Sequence, residues 1–201
     1  MSNRRNFICN SLMLGCYFII NKSISCEITP VQPKGPFYKK NISASVQDLT
    51  NQGKAAGRKI EISGKVLDKN CEPHKNSKIK VWQANAYGRY HHKRDYSANR
   101  IDKNFFGYSF LKTNNDGFYK FTTVIPGAYN IAKDIIRPPH IHFSVQTSQG
   151  DILHTQLYFK DHPLNKTDFL FNKVKNKSSL ELLLKKSKDN DIPRGTFNFV
   201  I

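Results

Sequence analysis

The chain has 201 residues and a formal net charge of +17, from 32 Lys and Arg against 15 Asp and Glu. That length suits one domain with a full hydrophobic core. The basic residues are mostly lysines scattered among asparagines, with no RNA-recognition, zinc-finger or helix-turn-helix spacing, so the charge reads as compositional bias and nucleic acid is excluded as a partner.

Residues 1–26 read as an export signal. Arg4 and Arg5 form a basic start, and Ser11-Leu12-Met13-Leu14-Gly15-Cys16-Tyr17-Phe18-Ile19-Ile20 is an apolar run too short to span a bilayer. Ser23, Ser25 and Cys26 offer small residues for cleavage. Arg4-Arg5-Asn6-Phe7 resembles a twin-arginine signal, and Leu14-Gly15-Cys16 partly matches a lipoprotein signal. The competing readings are an uncleaved amphipathic start or an anchor. The expected location is therefore exported: periplasmic, extracellular or held to a membrane by the N-terminus, and cytoplasmic only if the leader does not function. Cys9 and Cys16 fall in the leader, leaving Cys26 and Cys71, which could pair in an oxidising compartment. No C-x-x-C is present, which argues against a thiolate metal site.

Residues 27–57 form an N-terminal arm. Its start, Thr29-Pro30-Val31-Gln32-Pro33-Lys34-Gly35-Pro36-Phe37-Tyr38, is too rich in proline and glycine for a helix or inner strand. Residues 39–57 are polar and are expected to wrap the surface. Residues 58–201 read as an all-β domain. Ile60, Ile62 and Val66 alternate around Gly64, and Lys78-Ile79-Lys80-Val81-Trp82-Gln83 is a second strand. Asn114-Asn115-Asp116-Gly117 is a strong turn signal leading into Phe118-Tyr119-Lys120-Phe121. Pro126-Gly127 turns the chain again. Leu153 to Phe159 and Thr196 to Ile201 are further strands. Short strands at regular turn spacing predict a β-sandwich with at most one short helix, placed near Leu180-Glu181-Leu182-Leu183-Leu184-Lys185.

Arg137-Pro138-Pro139-His140-Ile141-His142-Phe143-Ser144-Val145 stands apart from the other strands. Alternation puts Ile141, Phe143 and Val145 on one face and His140, His142 and Ser144 on the other. Two imidazoles about 6.5–7 Å apart along one face can converge on one ion, and can equally be two surface histidines. Tyr90, after Gly88-Arg89, and Tyr129, after Pro126-Gly127-Ala128, are ordinary packed aromatics when taken singly.

Six ordered blocks change that balance. They are Gly35-Pro36-Phe37-Tyr38, Trp82 through Tyr90, Asp116-Gly117-Phe118-Tyr119, Pro126-Gly127-Ala128-Tyr129, Arg137 through Phe143, and Thr155-Gln156-Leu157-Tyr158-Phe159. From about Thr29 to its end the chain resembles the intradiol ring-cleavage dioxygenases, which include catechol and protocatechuate 3,4-dioxygenases, with the β-subunit-like protocatechuate branch nearest. The resemblance implies Tyr90, Tyr129, His140 and His142 as ligands of Fe(3+). Two anionic oxygen donors and two imidazoles suit a ferric ion, although zinc stays open. It further implies cleavage of a catechol-type substrate by O2 to a cis,cis-muconate-type diacid. Tyr129 would be the ligand that substrate displaces, Arg137 the cation that stabilises charge on the ring, and Gln156 its neighbour. Self-association as a homo-oligomer is left open.

Two departures bear on substrate. Lys34 stands where relatives commonly carry an acid, and Ile131 where protocatechuate enzymes carry an aromatic. His91, His92, His154 and His162 are read as surface or supporting residues. The rival reading from another class is an exported β-sandwich binding module of the same fold without turnover.

Overall fold

The computed structural model describes residues 25–42, 44–186 and 191–201. The expected leader, with Cys9 and Cys16, lies outside the described residues apart from Ser25 and Cys26. No helix among the described residues is long and apolar enough to cross a membrane.

The strands are β1 (Lys59–Leu67), β2 (Lys78–Gln83), β3 (Tyr108–Lys112), β4 (Phe118–Val124), β5 (Tyr129–Ala132), β6 (Ile135–Arg137), β7 (His140–Gln146), β8 (Ile152–Phe159), β9 (Glu181–Leu182), β10 (Arg194–Thr196) and β11 (Phe199–Val200). One sheet runs in the order β3-β2-β7-β8-β9. The other is built on β1, which pairs antiparallel with β4 and parallel with β10 and β11. β5 and β6 form a separate ribbon.

The alternation read from sequence decides the core. Ile60, Ile62 and Val66 of β1 and Phe121 of β4 bury inward, facing Ile79 and Val81 of β2 and Ile141, Phe143 and Val145 of β7. Phe143 is the hinge of this packing, with ring centroids 6.1 Å from Phe121 and 5.0 Å from Phe199 on the opposing sheet. Gly64, the interruption in β1, has a steric cause. A Cβ there would collide with the carbonyl of Phe197, whose oxygen also accepts the Tyr119 hydroxyl at 2.6 Å.

Three sequence expectations need correcting. The helix expected near Leu180–Lys185 is a 3-10 turn, Ser178–Leu180, running into edge strand β9. Leu180 and Leu182 bury with period two while Glu181 pairs with Tyr158 of β8, so the open edge of the sheet overrides helix propensity. The α-helix among the described residues is α1, Phe169–Asn172, a single turn capped by Asp168. Residues 39–57 do more than wrap the surface, because Leu49 is fully buried; its amide donates to Thr122 and its carbonyl accepts from Phe106. The C-terminal strand is broken into β10 and β11 by Phe197 and Asn198. Cys26, the last residue of the expected leader, forms a disulfide with Cys71 and so ties the chain just before the arm to the turn after β1.

The arm, the long β2–β3 connection and the β5–β6 ribbon cover the outer face of the five-stranded sheet. That is why every residue of β7 from His140 to Val145 is buried, on both faces.

Candidate metal centre

Register assembles the centre. β2, β7 and β8 place Trp82, His142 and Gln156 side by side, and Tyr158 lies opposite His140. The β5–β6 ribbon pairs Tyr129 with Arg137. Pro138-Pro139 then carries the chain into β7, so Tyr129, Arg137, His140 and His142 are fixed by one short stretch of backbone.

Tyr90 comes from the β2–β3 connection, which Asn85 folds. The Asn85 side-chain oxygen accepts from the amides of Tyr87 (2.9 Å) and Arg89 (3.0 Å), while its amide group donates to the Arg100 carbonyl. Asp95 accepts the Tyr90 amide at 2.6 Å. Gly88, at φ +78°, lies so close to the Ala128 carbonyl that any Cβ would overlap it. This close approach, with the Gly127 amide donating to the Asn85 carbonyl, locks the Tyr90 loop against the Tyr129 turn. The two phenol rings consequently stand edge to face with centroids 5.4 Å apart.

Four donor atoms meet in this buried space. His140 Nδ1 donates to the Pro138 carbonyl at 2.6 Å, an assignment that leaves Nε2 with its lone pair toward the centre. That Nε2 lies 3.2 Å from Nε2 of His142 and 3.3 Å from the Tyr129 hydroxyl. The Tyr90 hydroxyl is buried with no partner among the described residues. His142 stacks flat on Trp82, at 5.0 Å and 7°.

Burial keeps all four of these groups in their neutral forms. Burial, Arg137 and His142 hold the His140 imidazole well below its usual range, and burial with Arg137 takes His142 down to about 3, so both are neutral at neutral pH. Burial pushes the Tyr90 phenol well up, with Tyr129 adding to it; burial likewise raises Tyr129, against the pull of Arg137. Two phenols that resist ionisation, beside two neutral imidazoles, become phenolate donors only under a strong positive charge. An orphaned hydroxyl and two ring nitrogens 3.2 Å apart fit a trivalent cation held by Tyr90, Tyr129, His140 and His142.

A cleft of about 380 Å³ opens beside these atoms, lined by Tyr129, Arg137, His142, Gln156, Ile131 and Phe169 among others. Tyr129 reaches it; Tyr90 does not line it and is sealed by Phe37 of the arm, stacked at 4.3 Å. Gln156 joins arm to site, since its amide donates to the Pro33 carbonyl at 2.9 Å and its oxygen accepts from Arg137 at 2.8 Å.

All six residues singled out from sequence are brought together. His91, His92, His154 and His162 are not among the four converging donors; His162, for example, caps the 3-10 turn Pro163–Lys166. Sequence reasoning missed Asp95, Tyr158 and Asp168. Asp168 alone left a readable signal, an N-cap residue directly before the apolar Phe169-Leu170-Phe171.

A family model described as Dioxygenase matches residues 33–201. The protocatechuate 3,4-dioxygenase beta chain of Burkholderia cepacia is 40% identical over 128 residues, covering 62% of this chain and 54% of that one. The chain spans about half the length of the curated relatives it matches first. Among solved structures, the dioxygenase domain of a dioxygenase carbohydrate-binding protein fusion from Streptomyces sp. SirexAA-E superposes with a TM-score of 0.70 at 28% identity, covering 87% of this chain and 98% of that one. An intradiol ring-cleavage dioxygenase from Tetranychus urticae shares the fold, with a TM-score of 0.69 at 21% identity over 88% of this chain and 95% of its own.

Proposed function

The chain belongs to the intradiol ring-cleavage dioxygenase family, and from that premise we propose that it cleaves the ring of a catechol-type aromatic with O2 at an Fe(3+) held by Tyr90, Tyr129, His140 and His142. The carbon–carbon bond between the two hydroxyl-bearing carbons breaks, both atoms of O2 enter the product, and a cis,cis-muconate-type diacid results. The observation that carries this reading is that the Tyr129 oxygen and His142 Nε2 lie within 3.3 Å of His140 Nε2, beside a cleft, with the Tyr90 ring edge to face on Tyr129 and its buried hydroxyl without a partner among the described residues. Bound there, the ion supplies Lewis acidity and a template for the two substrate oxygens.

The chain's own residues do the rest. Tyr129 lines the cleft and, as a phenolate, would take up the proton that an incoming catechol hydroxyl gives up, while Tyr90 stays sealed behind Phe37. Arg137, buried and permanently charged, faces the same cleft and stabilises negative charge that develops on the ring. Phe37, Ile131, Phe169 and Leu170 give the cleft apolar walls that hold an aromatic ring and keep water from it. The Cys26–Cys71 disulfide supports an oxidising, exported location.

Iron-loaded protein should be coloured by tyrosinate-to-ferric charge transfer, with a band that shifts when catechol is added. Tyr90→Phe or Tyr129→Phe should bleach or shift it. Colourless protein after iron loading, with no oxygen uptake on catechol, protocatechuate or hydroxyquinol, would refute the proposal.

A further inference from the structure

Arg137 sits in a fixed network whose anchor is Asp168. Asp168 is fully buried and accepts Arg137 Nε at 2.5 Å through Oδ2. Its Oδ1 accepts the amides of Leu170 (3.1 Å) and Phe171 (2.8 Å), capping α1. Arg137 Nη2 donates to Gln156 Oε1 and to the Tyr158 hydroxyl, both at 2.8 Å. Nε and Nη2 are thus occupied, and Nη1 has no partner among the described residues. Arg137 and the α1 residues Phe169 and Leu170 all line the cleft.

We propose that Asp168 is the positioning residue of this site: it turns the guanidinium so that Nη1 is the edge offered to substrate, and it couples that cation to the α1 wall. The inference rests on the ring-cleavage reading for its consequence in turnover, but not for its geometry. A guanidinium is a planar fork, so holding Nε and Nη2 fixes the direction in which the third edge lies. A carboxylate with its two oxygens divided between a helix cap and a cation also forces cap and cation to move together. Buried ion pairs of this kind contribute little net stability compared with an apolar pair, which points to orientation as the role.

The division of labour supplies its own test. Asp168→Asn keeps an oxygen for the cap and places an amide where Oδ2 was, so α1 stays while the link to Arg137 breaks. Asp168→Asn should lower kcat/KM for catechol by about 10- to 100-fold, with the charge-transfer band retained. In an Arg137→Met background the same change should cost under about 2-fold, because the residue it positions is gone. Equal losses in both backgrounds would overturn the proposal. In protein loaded with diamagnetic gallium(III), the Arg137 Nε–H should give a low-field proton signal protected from exchange, lost in Asp168→Asn. An Nε–H that exchanges as fast as that of a solvent-exposed arginine would overturn the proposal whether or not any catechol is turned over. A wild type that shows the protected signal but no turnover refutes ring cleavage alone and supports the positioning.

Discussion

Replacing Gly88 with alanine separates site geometry from fold stability. Gly88 is at φ +78°, outside the core strands, and its missing Cβ is what allows the Tyr90 loop to lie against the carbonyl of Ala128. An L-residue in the left-handed region costs about 1–2 kcal/mol before any clash. For a chain of this size that converts to a fall in Tm of about 2–8 °C. Folding should therefore survive. The collision can be relieved by moving the Ala128 carbonyl, which is bonded to Tyr129, or the Gly88 backbone, which leads to Tyr90 two residues on, and either shift disturbs the pair. A displacement of about 1 Å in a reacting group commonly costs about 100-fold in rate. Gly88→Ala should then be a mildly destabilised protein with a shifted charge-transfer band and a turnover loss far larger than its loss of stability. Thermal melts followed by circular dichroism, with visible spectra and oxygen uptake on the iron-loaded protein, read out all three. A variant with wild-type spectrum and turnover would refute the claim that this contact sets the Tyr90–Tyr129 pair.

Two further outcomes follow from features away from the centre. Cys71→Ser opens a loop whose ends are 45 positions apart and should lower stability by about 2–4 kcal/mol, seen as a Tm drop that reductant reproduces in the wild type but does not enlarge in the variant. At Asp48, burial works to raise the carboxyl, but hydrogen bonds from Thr50 and the charge of Lys59 hold it below its usual value overall. A depressed carboxyl stabilises the fold above its unfolded pKa of about 4, and that stabilisation is lost as pH falls further through the folded value. Asp48→Asn should accordingly melt at a temperature that depends less on pH below about pH 4, whereas an unchanged acid limb would show that Asp48 does not contribute there.

The elements that were legible in the sequence are those with local causes. Period-two alternation in β1, β2 and β7 announced both the strands and which side chains enter the core, because a strand must send neighbours to opposite faces. The His140–His142 pair and the prolines before it were likewise visible as types and spacings, whereas Tyr90, Tyr129 and Gln156 stood out only through the resemblance of the blocks around them to the intradiol dioxygenases. The run Leu180–Lys185 was not legible, since its leucines satisfy a helical and an extended period about equally. Only the open edge of β8, which is a tertiary fact, decides for β9.

The same division holds at the centre. Sequence by itself determined the chemistry on offer: two phenols, two imidazoles, a guanidinium and an amide, four of them along the chain from Tyr129 to His142. It could not say that Gly88 and Ala128 touch, that Phe37 of the arm closes over Tyr90, or that Asp168 reaches back to Arg137 across 31 residues. Those contacts join segments far apart in the chain, and their value lies in distance and burial, which no residue carries alone. Burial is also what lowers the two imidazoles and raises the two phenols, and burial is set by the tertiary structure rather than by any residue alone.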